Sequence, residues 1–297
     1  MIGMKIMGIK KKRKIMKRRV SRSVRGDIAL YLFLLVFVAV MMLPLIFAVN
    51  MSLKPLNELW LFPPRFFAVN PTLKNYYDLF RLMTDSWIPM SRYIFNTFFI
   101  TIAGTAGHII LASMAAYPLS KYKFPGSNMI FRLIRSSLMF SGAVLAVPNY
   151  LVMSTLGLID SYLSIIIPAF GSTLGLFLMK QFMDQMIPDE LLKSADIDGA
   201  TEWDKFWKIV MPIVKPAWLT LMIFSVQNLW NTGATPYIYT ESKKTLPYAL
   251  SQISLGGLSR AGIGAAISVI MILFPLMVFI ISQSNIIETM ATSGMKD

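Results

Sequence analysis

Six long apolar stretches, Ile28 to Val49, Tyr93 to Tyr117, Ile130 to Met153, Tyr162 to Phe182, Ala217 to Thr235 and Ala261 to Ser282, leave this chain few architectures. Each is close to the roughly 20 residues a helix needs to cross about 30 Å of hydrocarbon. They are too long and too uniformly apolar for the alternating strands of an outer-membrane barrel. The spacing therefore predicts an all-α membrane protein with six transmembrane helices. Composition agrees, since 55% of the 297 residues are hydrophobic, only 15% are charged and the mean hydropathy is +0.58. A soluble domain carries a far more even balance.

The 29 basic residues set the expected orientation. With the N-terminus inside, the cytoplasmic segments collect the run from Lys5 to Arg25, then Lys121, Lys123, Arg132 and Arg135, then Lys180, Lys193, Lys205, Lys208 and Lys215, and finally Lys296. The other side receives only Lys54, Arg65, Lys74, Arg81, Arg92, Lys243, Lys244 and Arg260. This asymmetry follows the positive-inside rule and places both termini in the cytoplasm. Residues 1–27 read as a basic tail that orients the first span and meets lipid headgroups, not as a nucleic-acid arm. Residues 28–284 form the membrane domain and 285–297 a short C-terminal tail. The first apolar run is longer than a signal peptide's and has no small-x-small cleavage site, so it reads as an uncleaved span.

The spans hold almost no ionisable groups, which a carrier powered by protons or sodium would need. Asp27, Asp160 and Asp184 fall at span ends. His108, near Gly104 and Gly107, either bonds a neighbouring helix or handles protons. No GxxxxGK[ST] loop is present, Ile267 stands where Gly262 and Gly264 would need a third glycine, and HExxH, GxSxG and cysteine are absent. The chain is therefore not expected to be an enzyme or to hold a cofactor or metal. Any motor must sit on another subunit.

The stretch from Ile187 to Pro216 is the one long polar segment between spans. Pro188 suits a first helical turn, and Asp189 and Glu190 complement its dipole. Gly199 stops that helix. Thr201 and Asp204 make a capping-box-like start for a second, on which Phe206, Ile209, Val210 and Ile213 recur at helical spacing until Pro212 and Pro216 perturb it. Such a helix, bend and helix must face water or a partner protein.

Within this stretch Ser194, Ala195, Asp198, Gly199 and Ala200, followed by Phe206, Ile209, Pro212 and Pro216, resemble the EAA loop of ABC importer membrane subunits. Phe140-Ser141-Gly142, Gly157-Leu158-Ile159-Asp160, Asn75-Tyr76-Tyr77 and Asn96 narrow the resemblance to the MalG-like carbohydrate permeases, in the LplC-type oligosaccharide branch. The resemblance runs from about Leu30 to Ile281. It implies a type I ABC importer permease fold with a cytoplasmic EAA coupling helix, in the bacterial cell membrane. It implies partners too: a second homologous permease, two cytoplasmic ATPase subunits that bind the ATP and Mg, and an extracytoplasmic solute-binding protein that delivers an oligosaccharide. The implied coupling residues are Glu190, Lys193, Ala195, Asp198, Gly199, Ala200 and Phe206. Lys193 departs from the family, which has glutamate there; Glu190, Asp196 or an acid on the partner would then supply the charge. A stand-alone secondary carrier for a polar solute is the alternative reading.

In the fifth span Gln227, Asn228 and Asn231, beside Trp230, are spaced to share one helix face. They either pack helices together or line a path for a polyhydroxylated solute. Asn149 and Tyr150 form a second such candidate, and Gly171 and Gly175 suit close helix packing. The aromatic outer loop from Asn50 to Arg92, with Trp60, Phe66 and Tyr76, suits both a dock for the binding protein and an interfacial belt. The loop from Tyr237 to Arg260 suits the same partner.

Overall fold

The computed structural model describes residues 24–84, 87–140, 142–233 and 235–293. The basic tail up to residue 23, Ser141, and residues 294–297 with Lys296 lie outside them. All regular elements among the described residues are helices. The chain divides into two compact units, Met1–Ile46 and Phe47–Asp297.

The first unit contains most of helix α1 (Val24–Leu53). Its side chains from Tyr31 to Met41 are largely apolar and exposed on all sides, a surface suited to lipid or another membrane helix rather than water.

The second unit holds α2 (Lys74–Thr84), α3 (Met90–Lys121), α4 (Ser127–Ser137), α5 (Gly142–Thr155), α6 (Leu163–Phe170), α7 (Thr173–Met186), α8 (Asp189–Ile197), α9 (Glu202–Ile213), α10 (Lys215–Trp230), α11 (Leu246–Ser254) and α12 (Ala261–Ser293). The long helix α3 is its axis, packed by α6, α7 and α10, while α10 in turn packs on α12. Two apolar clusters sit at opposite ends of α3. At its C-terminal end Ala112, Ala116 and Tyr117 meet Met179 and Met183 of α7 and Leu192, Phe206 and Val210 of the polar stretch. At its start Tyr93 meets Leu79, Met83, Leu250, Ile263 and Ile267.

Four helical segments are long and apolar enough to cross a membrane, Gly26–Leu53, Met90–Lys121, Leu163–Met186 and Ala261–Gln283, and the number rises to 6 if each of two bent pairs counts as one span. The expected single run from Ile130 to Met153 is one such pair, α4 and α5. Met139 and Phe140 make tight turn bonds to Ser136 and Ser137 there, which close α4 before Gly142 opens α5. The other pair is α9 and α10, bent by 76° at Val214. Pro216 lies in the first turn of α10, where a missing N–H costs nothing. The segment Leu163–Met186 has its own interruption at Gly171 and Ser172, shortly after Pro168.

Candidate functional site

The polar stretch folds into the expected helix, bend and helix. Helix α8 ends in a Schellman-type closure, with the Ala200 N–H on the Ala195 carbonyl at 3.0 Å and Gly199 in the left-handed region at φ +77°. Thr201 caps α9, its hydroxyl accepting the Asp204 N–H at 3.2 Å. Residues Lys205–Val210 of α9 widen into a π-helical turn. Pro212 has no N–H for the Lys208 carbonyl, and the wide turn lies beside that missing bond.

The bend is fastened to the end of α3 by contacts no local pattern announces. Lys205 is 2% exposed, yet its ammonium bonds Asp196 at 2.6 Å and also Glu202. The other oxygen of Glu202 accepts from Tyr117, at 3.2 Å, and from Tyr122. Lys121 donates to the Ile187 carbonyl at 2.6 Å and to Asp189 at 3.0 Å. The Lys121 ammonium holds the Asp189 carboxyl below the usual carboxylate range. Ser120 donates to Asp184 at 2.6 Å. Side chains of one helix end thus grip α7, α8 and α9.

The implied coupling residues separate into two sets. Ala195 and Phe206 are buried and face inward, Phe206 with its ring 5.8 Å from that of Tyr117. Glu190, Lys193, Asp198 and Gly199 are exposed, and Ala200 is half-buried between them and α9. Glu190 and Asp196 are both exposed, and Asp196 is drawn towards Lys205. Three large apolar side chains also point outward at the bend: Ile197 at 88% exposure, Trp203 at 60% and Trp207 at 38%. Sequence patterning missed them because helical periodicity singles out the inward face.

At the opposite end of α3, the asparagines of the family motifs act as clamps. The Asn75 amide donates to the Ser52 and Lys54 carbonyls, both at 2.8 Å, and the Asn96 amide donates to Ser242 and Lys244 at the same distance. Asp160, at φ +59°, accepts from the Tyr239 and Thr240 amides, the Thr240 hydroxyl and Lys243. The Thr240 hydroxyl first, then its amide and the Lys243 ammonium, hold the Asp160 carboxyl well below its ordinary value. A depressed folded value means that this latch is fully formed above the ordinary carboxylate pKa and loosens only as pH falls through the lowered one. Asp160→Asn keeps a side chain that tolerates this backbone but removes the charge. Amide hydrogen exchange over residues 237–243 is expected to quicken several-fold in that variant, while exchange in α8 stays unchanged.

A cavity of about 430 Å³ lies among α3, α6, α7 and α10. Asn228, Asn149 and His108 line it, together with Ser172, Thr235 and Tyr237. Gln227 and Asn231 do not. They line a separate groove of about 300 Å³ against Met271, Pro275 and Phe279 of α12. The expectation of three amides on one face is corrected, since consecutive helical residues point about 100° apart. Trp230 is buried, its indole N–H donating to the Met271 carbonyl at 3.0 Å and its ring against Phe98 and Phe274, so it packs helices together. Tyr150 stacks on Tyr237 and shares a 3.0 Å hydroxyl contact with Tyr239, so it braces the cavity wall. Of the expected pair, Gly175 serves close approach, to His108, since a Cβ there would lie 2.0 Å from Nε2, whereas a Cβ on Gly171 would meet only the Pro168 carbonyl at 3.7 Å. Among the described residues no cluster of His, Asp and Glu could hold a metal ion.

Residues 108–290 match the family described as binding-protein-dependent transport system inner membrane component. The chain belongs to this family. The permease is 35% identical over 176 residues to protein LplC of Bacillus subtilis (strain 168), a match covering 55% of this chain and 59% of that protein. It is 30% identical over 271 residues to the arabinooligosaccharides transport system permease protein AraQ of the same organism, covering 91% and 95% of the two chains. Among solved structures it is similar in fold to a bacterial ABC transporter involved in the import of the acidic polysaccharide alginate, with a TM-score of 0.72, 22% identity and coverage of 89% and 98%. The all-helical, multi-pass permease fold expected from the sequence is therefore the one observed.

Proposed function

We propose that this permease is one membrane subunit of an ATP-driven importer for oligosaccharides, forming half of the translocation path beside a second homologous permease. Two cytoplasmic ATPase subunits carry ATP and Mg, and an extracytoplasmic binding protein delivers the sugar. Residues 28–284 form the permease domain with six spans, counting each bent pair as one, and both termini lie in the cytoplasm of a bacterial cell. The sugar assignment draws on the likeness to AraQ, an arabinooligosaccharides transport system permease protein.

The observation that carries this reading is the bend at residues 187–216. It exposes Ile197, Trp203 and Trp207 to a partner, while Lys121 and Glu202 tie it to α3 and Lys205 ties its two helices together. An aromatic pair beside an aliphatic side chain is the composition of an interface anchor. In two-state terms, ATP favours one arrangement of the path by differential binding, and the bend transmits that preference. Glu190, Lys193, Asp198 and Gly199 form the docking rim, and Ala195, Ala200 and Phe206 hold its shape. A stand-alone carrier is disfavoured because no carboxylate is buried among the residues whose side-chain burial is described.

The chain has no cysteine, so Ile197→Cys provides a unique thiol. In membranes that also contain the ATPase, a bifunctional thiol reagent is expected to join this position to the ATPase subunit, with a yield that changes on adding ATP. Capture of copies of the same chain only would contradict the assignment.

A further inference from the structure

We propose that α4 is an interfacial anchor: it lies along the membrane surface on the side where the 187–216 bend sits, and Arg132 and Arg135 hold the headgroups of anionic phospholipids there. This depends on the chain being a membrane permease and not on what it carries.

Around the helix Met129, Ile130, Phe131, Leu133 and Ile134 fall on one side, and Asn128, Arg132, Arg135 and Ser136 on the other. Such a two-sided segment suits neither bulk water nor the hydrocarbon centre, where an arginine is costly. Protein covers one edge of the apolar side. Phe131 stacks on Phe177 of α7 with ring centroids 5.9 Å apart, and the Lys180 ammonium lies 4.4 Å from the Phe131 ring. Lys180 also pairs with Asp184, to which Ser120 donates, so this contact lies at the end of α3 that grips the bend. Met129 and Leu133, at 61% and 60% exposure, are left uncovered with Ile130, and Met139 and Phe140 just past the helix extend that surface.

The arginines decide what covers it. From Lys121 to Ile159 the sequence contains no acid. Among the described residues no carboxylate pairs with Arg132, Arg135 or the nearby Lys123, whereas Lys121 and Lys180 are each engaged by an aspartate. Arg132 Nε reaches the Asn128 carbonyl of its own helix at 3.4 Å. An apolar strip backed by unpaired cations complements acyl chains beneath negative headgroups, with the guanidinium groups bonding phosphate. The axis of α4 also turns by 112° from that of α5, so where α5 crosses the bilayer α4 runs near the membrane plane.

The chain has no cysteine, so Leu133→Cys carries a single polarity-sensitive fluorophore in the assembled transporter with cysteine-free partner subunits. The label is read in nanodiscs of phosphatidylcholine containing increasing fractions of phosphatidylglycerol. Its emission is expected to shift to the blue as phosphatidylglycerol rises and to return in roughly 1 M salt, where the screening length falls to about 3 Å. Adding Arg132→Gln and Arg135→Gln should raise the phosphatidylglycerol fraction needed for half the shift about tenfold or more, since each basic residue at an anionic surface is worth about fivefold. Arg132→Lys with Arg135→Lys should leave it within about twofold. Emission equally blue in pure phosphatidylcholine and in salt would place α4 inside the hydrocarbon or under a protein, and overturn the anchor. Water-like emission in every lipid, or a glutamine variant that responds as the arginine form does, would overturn it too. Elution as intact assemblies on size exclusion shows that the variants are folded, and the lipid and salt comparisons need no arginine variant.

Discussion

Gly199→Val is expected to disconnect ATP hydrolysis from transport while the protein still inserts normally. Gly199 has φ +77°, and nothing lies within 4 Å of where its Cβ would be. The penalty is therefore purely one of backbone conformation, about 1–2 kcal/mol for a side chain forced into the left-handed region. A β-branched residue escapes this by leaving that region, which breaks the Ala200 to Ala195 closure and turns α9 away from α8. Ile197 and Trp203 then no longer form one surface. Because each 1.4 kcal/mol is a factor of ten, substrate-stimulated ATPase activity and uptake should both fall about tenfold or more. Gly199→Asn should keep most activity, since asparagine tolerates this conformation. Normal uptake by the valine variant would remove the bend from the mechanism.

The second large effect is expected when Asp196→Asn and Glu202→Gln are combined. Lys205 is 2% exposed, and the double variant leaves its ammonium facing two neutral amides. An ill-satisfied buried charge costs about 2 kcal/mol or more, whereas the two acids are more than half exposed and lose less. Hydrogen exchange over residues 202–213 should accelerate and coupling should fail. Adding Lys205→Met removes the stranded charge and should recover much of the protection, because buried ion pairs are often replaceable by apolar side chains as a set. If the triple variant exchanges as fast as the double, the network is not what holds α9 in place.

Much of this molecule is legible in the sequence because its strongest signals are local. Apolar runs of membrane length specify helices whatever surrounds them, and Gly199 with Thr201 and Asp204 specifies a bend through bonds spanning a few residues. The grip of α3 on that bend is different. Tyr117 reaches Glu202 across 85 positions and Lys121 reaches Asp189 across 68, so no spacing rule announces either pair. Lys205 reads as one more cytoplasmic charge until the fold buries it. The same limit explains the amides of α10. Their spacing says which residues share a turn, but only the positions of α7 and α12 decide that Asn228 faces the cavity and Gln227 the groove. Trp230, beside them in sequence, finds its partner carbonyl 41 residues away at Met271.

An ATPase is proposed to drive a sugar through this chain. The direct measurement is uptake of a radiolabelled neutral oligosaccharide into proteoliposomes holding the assembled permeases and ATPase, with ATP, binding protein and ion gradients varied independently. Accumulation is expected only when ATP and the binding protein are both present, with no response to a proton or sodium gradient. Accumulation driven by an ion gradient without ATP would contradict it and make the chain a secondary carrier.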